Sequence, residues 1–219
     1  MSVIDNYKKI VENIKLTCKI HNRDFNSINL VAVSKQHKID KIRNLCRVGH
    51  KSFGENRLQE TLEKWTESDK KNVNLHFIGA LQSKKIKDII KNFTVIETLD
   101  TENSAKKLSV LKSQNFRLPK ILVQINIGEE PQKRGVFPSK FSNFLNMCKN
   151  KYNLDISGAM CMPPLVEDPT KYFKNMYRIC KKENLKEISM GMSNDYREAI
   201  ICGSTNVRIG SLIFGERVA

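Results

Sequence analysis

The sequence lacks several patterns that would assign it to particular classes of protein. No apolar run approaches the roughly 20 residues that a membrane-spanning helix needs. The N-terminal stretch, which contains Asp5, lacks the uninterrupted apolar region of a secretory signal. The six cysteines show no C-x-x-C spacing, which argues against metal knuckles and favours the reduced thiols of a cytoplasmic protein. With no Ser/Gly-rich linker, repeat or low-complexity segment, the chain is predicted to be one cytoplasmic domain over residues 1–219, without a membrane segment.

Positive charge is the strongest bulk feature of the sequence, with a formal net charge of +15 at pH 7. Such an excess is compatible with binding to nucleic acid or to another acidic surface. The lysines, however, are spread along the chain, and aromatic and basic residues do not alternate as a base-stacking surface requires. The densest cluster, Lys84, Lys85, Lys87 and Lys91, lies in a predicted helix whose apolar residues include Ile86. This pattern favours a solvated helix face, with attraction of phosphate as a weaker alternative, and no specific nucleic-acid site is expected.

Apolar and β-branched runs alternate with helical patterns along almost the whole chain. A predicted N-terminal helix begins with a capping box at Ser2 and Asp5 and ends near His21. Eight predicted strands follow, at residues 29–34, 50–54, 75–79, 95–98, 121–127, 154–160, 188–192 and 206–209. Because helical patterns separate consecutive strands, the order predicts an α/β protein, a single (β/α)8 TIM-type barrel with an extra N-terminal helix. A doubly wound open sheet is the alternative, but it uses fewer strands and a Gly-rich fingerprint that this sequence lacks.

Two turns near the end of the chain indicate an anion site. Predicted strands end at Met192–Ser193 and Gly210–Ser211, and each passes into small residues and a new helical start. Backbone N–H groups at such positions bind phosphate, and the loops after the seventh and eighth strands of TIM-type barrels often do so. Arg208 adds a positive charge close to both turns. The alternatives are that these are ordinary turns and that Arg208 forms a structural ion pair with Glu55 or Asp195.

Lys35 directly follows the predicted first strand, at the end of the barrel where active sites form. An ammonium group beside a packed core is costly unless it is paired or deprotonated, and a desolvated amine is a competent nucleophile toward an aldehyde. The alternative is that the side chain extends into solvent, as most lysines do. Combined with an anion site across the same opening, the amine indicates a ligand that carries both an aldehyde and a phosphate. Pyridoxal 5′-phosphate (PLP) carries both on one aromatic ring.

Several stretches of the chain together resemble a known family. They are AVSK at 32–35, FGEN and LQE within 53–60, HFIGALQ at 76–82, QINIG at 124–128, KRG at 133–135, MGMSNDYREAI at 190–200 and GSTNVRIGSLIFGER at 203–217. By these stretches, which cover nearly the whole chain in one order, the sequence resembles the pyridoxal phosphate homeostasis proteins. That family in turn resembles the barrel domain of alanine racemase without its second domain. The resemblance implies a TIM-type barrel that binds PLP.

The resemblance also implies roles for individual residues. Lys35 would be the Schiff-base lysine, and Arg208, in an R-x-G pattern, would face the pyridine nitrogen. Because a guanidinium does not readily give up a proton, the ring nitrogen would stay unprotonated and the cofactor would be a poorer electron sink. The other implied cofactor contacts are the phosphate-binding Ser193, Gly210 and Ser211, the turn-shaping Ser204 and Thr205, and the pocket-lining Asn56, His76 and Met160. The sequence departs from the family at Arg57, where members often have Tyr, and at Lys84, where they often have Asn.

Two functions follow from the resemblance. The first is a PLP-binding protein that stores, buffers or delivers the cofactor inside the cell, as a monomer without robust turnover, with PLP-dependent apoenzymes as partners. The second is a PLP-dependent amino-acid racemase, which needs acid and base groups on both faces of the bound substrate. Lys35 serves one face, but the chain is expected to lack the second domain whose tyrosine serves the other face in two-base racemases of this fold. A basic nucleic-acid binder is a third and less favoured class.

Overall fold

The structure, a computed structural model, describes residues 2–216. Outside these residues lie the predicted domain limits at 1 and 219 and the last residue of the motif at 203–217. Eight parallel strands form one closed barrel in chain order, and the last strand pairs with the first. The strands are β1 (Asn29–Val33), β2 (Ser52–Glu55), β3 (Asn74–Phe77), β4 (Val95–Leu99), β5 (Lys120–Ile125), β6 (Ile156–Cys161), β7 (Glu187–Ser189) and β8 (Asn206–Ile209). The TIM-type barrel predicted from the sequence is therefore confirmed.

Helices surround the barrel. They are α1 (Val3–Ile20), α2 (Ile39–Arg47), α3 (Leu58–Lys64), α4 (Glu67–Lys70), α5 (Ile86–Asn92), α6 (Glu102–Ser113), α7 (Phe141–Asn146), α8 (Pro169–Lys182), α9 (Tyr196–Ile201) and α10 (Ser211–Phe214). The predicted N-terminal helix is α1, which begins with the capping box of Ser2 and Asp5 and ends at its C-cap, His21. It packs against α2, α9 and α10, where the side-chain amide of Asn6 donates to the carbonyl oxygen of Ile213 at 3.2 Å. None of the helices in the described part of the chain has the length and hydropathy of a membrane-spanning segment.

Strand side chains alternate between the barrel interior and the helical layer. Outward-facing Phe53 of β2 and Ile96 of β4 are fully buried, and they share one apolar core with Phe141 of α7 and Phe173 of α8. The lysines within 84–91 are exposed whereas the isoleucines of α5 are buried, so the solvated helix face predicted there is confirmed. The strand side chains that alternate with these outward-facing residues point into the barrel interior and form a more polar set.

The seventh strand is shorter than its alternating pattern predicts. The pattern extends over residues 188–192, whereas β7 ends at Ser189. Gly191 has a φ of +94°, in the left-handed region that favours glycine and that an extended strand does not use. The backbone N–H of Arg208 donates to the carbonyl oxygen of Gly191 at 2.9 Å, so the loop after β7 stays attached to β8.

Candidate functional site

The C-terminal ends of the strands surround a cavity of about 680 Å³. Sites for small molecules and cofactors typically have volumes of roughly 300–1,000 Å³. Six of the residues predicted from the sequence line this cavity, namely Lys35, Met160, Ser193, Arg208, Gly210 and Ser211. They come from β6, from β8, from the loops after β1, β7 and β8, and from the first residue of α10. Closure of the barrel therefore brings residues from the beginning and the end of the chain to one place.

The two turns predicted to bind an anion meet at one edge of the cavity. The hydroxyl group of Ser211, the first residue of α10, donates at 3.0 Å to the hydroxyl oxygen of Ser193 in the loop after β7. The loop after β7 is held by Asp195, whose Oδ1 accepts the N–H of Met192 at 2.6 Å. Burial raises the pKa of Asp195, against the opposing effects of that hydrogen bond and of the charge of Arg208. The contact between Ser193 and Ser211 thus places two hydroxyl groups side by side at this edge of the cavity.

Arg208 of β8 reaches the floor of the cavity, and only 4% of it is exposed. Its Nη1 donates to Oγ of Ser189 at 2.6 Å, and its Nη2 donates to the carbonyl oxygen of Cys161 at 2.8 Å. Ser189 in turn donates to Oε2 of Glu97 at 2.6 Å, and this carboxylate oxygen lies 3.8 Å from Nη1 of Arg208. The guanidinium is therefore fixed in one orientation by groups from β4, β6 and β7.

Glu97 is fully buried in the barrel interior and also contacts His76, whose Nδ1 lies 2.6 Å from its Oε1. Burial acts to raise the pKa of Glu97, but the hydrogen bond and electrostatic interaction with His76, together with the charge of Arg208, hold that pKa below its ordinary value. The carboxylate is thus ionised at neutral pH and is the counterion of Arg208. The sequence-based alternative of an ion pair with Glu55 or Asp195 is replaced by this contact.

Ser204 and Thr205 lie at the end of the barrel opposite the cavity, because they precede β8. Oγ of Ser204 donates to the carbonyl oxygen of Met190 at 2.8 Å, and Oγ1 of Thr205 accepts the N–H of Ile188 at 2.8 Å. These contacts join the beginning of β8 to the β7 region. The two residues therefore lie before β8, whereas the turn at 210–211 that they were expected to shape follows it.

His76 and Asn56 also lie outside the cavity lining. His76 is held by Glu97 and, with Thr205, lines a second cavity of about 420 Å³ at the N-terminal ends of the strands. Asn56 follows β2, and its carbonyl group packs directly against Gly79. Its Oδ1 is buried without a hydrogen-bond partner among the described residues. Neither residue lines the cavity that contains Lys35 and Arg208.

Sequence reasoning missed two groups of residues at this site. The apolar side chains of Val33, Ile78 and Met192 line the cavity, but they look like ordinary strand and loop residues in the sequence. Glu97 and Ser189, which hold Arg208, were missed as well. A carboxylate inside the apolar strand VIETL is a signal that could have identified Glu97, since a buried charge requires a partner.

Comparisons of sequence and structure find relatives that match over most of the chain. A family model described as alanine racemase, N-terminal domain, matches residues 6–218. The pyridoxal phosphate homeostasis protein of Haemophilus influenzae is 34% identical over 229 residues, which cover 99% of this chain and 97% of that protein. The corresponding protein of Schizosaccharomyces pombe is 36% identical over 203 residues, covering 87% and 85%. The solved structure of PipY from Synechococcus elongatus with PLP bound matches with a TM-score of 0.78 and 28% identity, covering 92% of this chain and 99% of that chain.

Proposed function

The chain belongs to the alanine racemase N-terminal domain family and, within it, to the pyridoxal phosphate homeostasis proteins, and from this membership we propose that it binds PLP and takes part in PLP homeostasis in the cell. The proposed role is storage, buffering or delivery of the cofactor, which the amine of Lys35 holds as a Schiff base. The observation that supports this proposal is the convergence of Lys35, Arg208 and the Ser193–Ser211 hydroxyl pair on one cavity of about 680 Å³.

The groups around the cavity fit the parts of PLP. When bound, PLP supplies an aldehyde that condenses with a primary amine, and half-buried Lys35 offers such an amine at the end of β1. In the proposal, Ser193 and Ser211 donate hydrogen bonds to the phosphate. Met160 and Ile78 provide apolar walls for the ring and exclude water from it. An amine, hydroxyl donors and apolar walls in one cavity match an aromatic aldehyde that carries a phosphate.

Arg208 controls the proton at the ring nitrogen in this proposal. Its guanidinium is anchored by Ser189 and the Cys161 carbonyl group, and its charge is balanced by Glu97. A guanidinium has only donors and keeps its protons, so it donates a hydrogen bond to the ring nitrogen without protonating it. An unprotonated ring withdraws electrons less effectively, which suits a carrier better than an enzyme with fast turnover.

The proposal is tested by adding PLP to the purified chain and recording the visible absorption band of the lysine adduct. Borohydride reduction and peptide mass analysis should then locate the added mass on the peptide that contains Lys35. We expect Lys35→Ala to lose both the band and the modification. Lys38→Ala, a matched change at an exposed lysine of the same loop, should keep both. A wild-type chain that stays colourless and unmodified contradicts the proposal.

Solvent-deuterium incorporation at the α-carbon of amino acids separates this role from that of a PLP-dependent racemase. Racemisation requires proton transfer on both faces of the bound substrate. We expect no rapid exchange with alanine or with other amino acids. Rapid exchange that disappears in Lys35→Ala would replace the carrier role by an enzymatic one.

Delivery of PLP to apoenzymes by a monomer belongs to the same proposal. Mixing the loaded chain with a PLP-dependent apoenzyme, in the presence of a scavenger of unbound PLP, measures direct transfer. Recovery of apoenzyme activity despite the scavenger supports delivery by contact, and no recovery contradicts it. Sedimentation analysis of the loaded chain tests the monomeric state.

A further inference from the structure

A buried lysine behind the barrel wall contacts the backbone segment that carries Lys35. Lys64, the last residue of α3, has only 8% of its side chain exposed. Its Nζ donates to the carbonyl oxygen of Ser34 at 2.9 Å and to Oε1 of Glu60 at 2.8 Å, and it forms an ion pair with Oε1 of Glu55 at 2.8 Å. An ammonium group has donors only, so each of these three oxygens is a suitable partner for it.

These contacts connect Lys64 to the two residues that flank Lys35 in the chain. Ser34 precedes Lys35, and besides its carbonyl contact its Oγ donates to Oε1 of Glu55 at 2.6 Å. Gln36 follows Lys35, and its backbone N–H donates to Oε1 of Glu60 at 2.5 Å. The Lys64 ammonium is therefore bonded directly on one side of Lys35 and through a single carboxylate on the other.

Gln36 has an unusual backbone conformation that this arrangement holds in place. Its φ is +64°, in the left-handed region that residues other than glycine rarely adopt. Such a conformation persists only where the surrounding structure enforces it. The bond to Glu60, which is itself bound to Lys64, is one such constraint. Because the backbone on both sides of Lys35 sets the direction of its Cα–Cβ bond, the constraint sets where its amine enters the cavity.

We propose that Lys64, acting with Glu60, is a positioning residue for Lys35. The inference rests on the proposed function, because it concerns the lysine to which PLP would bond. The ion pair with buried Glu55 does not by itself explain a lysine at position 64, because apolar residues of similar volume often replace buried ion pairs at little cost in stability. A purely stabilising role predicts equal losses for every ligand of the cavity. A positioning role predicts a loss confined to ligands that form a bond with Lys35.

Two ligands separate these roles in the full-length chain. PLP bonds to the amine, whereas pyridoxine 5′-phosphate carries an alcohol in place of the aldehyde and forms no such bond. For Lys64→Met, we expect the rate constant of adduct formation with PLP to fall by about tenfold to a hundredfold, because a misplacement of about 1 Å can cost that much. The affinity for pyridoxine 5′-phosphate should stay at the wild-type value.

Lys70→Met is the matched control for this experiment. Lys70 is similarly buried, with 13% of its side chain exposed, and its Nζ donates to Glu67 and to Asn92, not to the segment around Lys35. The control variant therefore loses a buried ammonium group, as Lys64→Met does. It should keep the wild-type rate of adduct formation with PLP and the wild-type affinity for pyridoxine 5′-phosphate.

Should Lys64→Met fail to fold, Glu60→Leu decides the question, because it removes the contact with Gln36 while leaving the pair of Lys64 with Glu55 in place. The same selective loss with PLP is then expected. A wild-type rate of adduct formation, or an equal loss of affinity for both ligands, would overturn the positioning role. A wild-type chain that binds neither ligand instead contradicts the proposed function, and this is recognised before any variant is compared.

Discussion

Replacing Glu97 by glutamine removes the counterion of Arg208 while keeping the shape and most hydrogen-bonding capacity of the side chain. Both residues are buried, with 4% of Arg208 and 0% of Glu97 exposed, and Nη1 and Oε2 lie 3.8 Å apart. At this separation two unit charges attract each other by about 4 kcal/mol when the effective dielectric constant is about 20. Breaking a buried ion pair costs about 3–5 kcal/mol. We therefore expect Glu97→Gln to lower the free energy of unfolding by about 4 kcal/mol.

Urea unfolding of the chain without PLP, followed by circular dichroism, measures this loss. For a chain of this length the same loss corresponds to a fall in Tm of about 8–16 °C. Glu102→Gln is the control, because its ionic partner Lys151, at 2.7 Å, is 61% exposed and Glu102 itself is 51% exposed, while glutamine keeps an oxygen that can accept the hydroxyl group of Tyr152. Water screens such a pair, so the control should leave the urea midpoint unchanged within error. A Glu97→Gln chain within about 1 kcal/mol of the wild type would refute the dependence of Arg208 on Glu97.

Two further predictions concern pH and packing. Burial lowers the pKa of His50 to about 4. Because the unfolded chain then binds the proton more tightly than the folded chain, the free energy of unfolding should fall by about 3 kcal/mol as the pH drops from about 6.5 to about 4. Urea titrations should show this decrease removed in His50→Asn, and an identical decrease in both chains would contradict the assignment. Gly79→Ala places a Cβ against the carbonyl oxygen of Asn56. We therefore expect urea unfolding to show that the free energy of unfolding falls by about 1–3 kcal/mol. An unchanged free energy of unfolding would disprove the close packing.

The barrel could be predicted from the sequence because its signals are local. The β-branched runs at 29–34 and 121–127 coincide with most of β1 and β5, and helical patterns separate them from their neighbours. The seventh strand is the exception, since its alternation continues through Met192. The strand ends early because Gly191 turns the chain where it packs against Ala199, and that packing depends on residues distant from the strand pattern.

The site could be predicted only in part. Lys35 and Ser193 follow strands, so the direction of a parallel barrel is enough to place them at the same end. The same rule places Ser204 and Thr205, which precede a strand, at the opposite end, and the family resemblance gave no corrective signal for them. The partners of Arg208 could not be predicted, because they belong to strands far apart in the chain and no local pattern links them.

The partner contacts of Lys64 were hidden for a related reason. In the sequence, Glu60 and Lys64 have the spacing of an ordinary surface ion pair on a helix. Only the closed barrel shows that the same ammonium group also reaches the carbonyl oxygen of Ser34. A lysine that looks solvated in a helical pattern is in this case almost fully buried.

Pairing of β8 with β1 has a consequence for synthesis on the ribosome. A nascent chain that has emerged as far as β6 already carries Lys35, but neither Arg208 nor Ser211 has yet been translated. Under the proposed function, capture of the vitamin-derived ligand becomes possible only when the last strand joins the first. A polypeptide interrupted before β8 would therefore leave the ligand unbound, so that its sequestration reports a closed barrel.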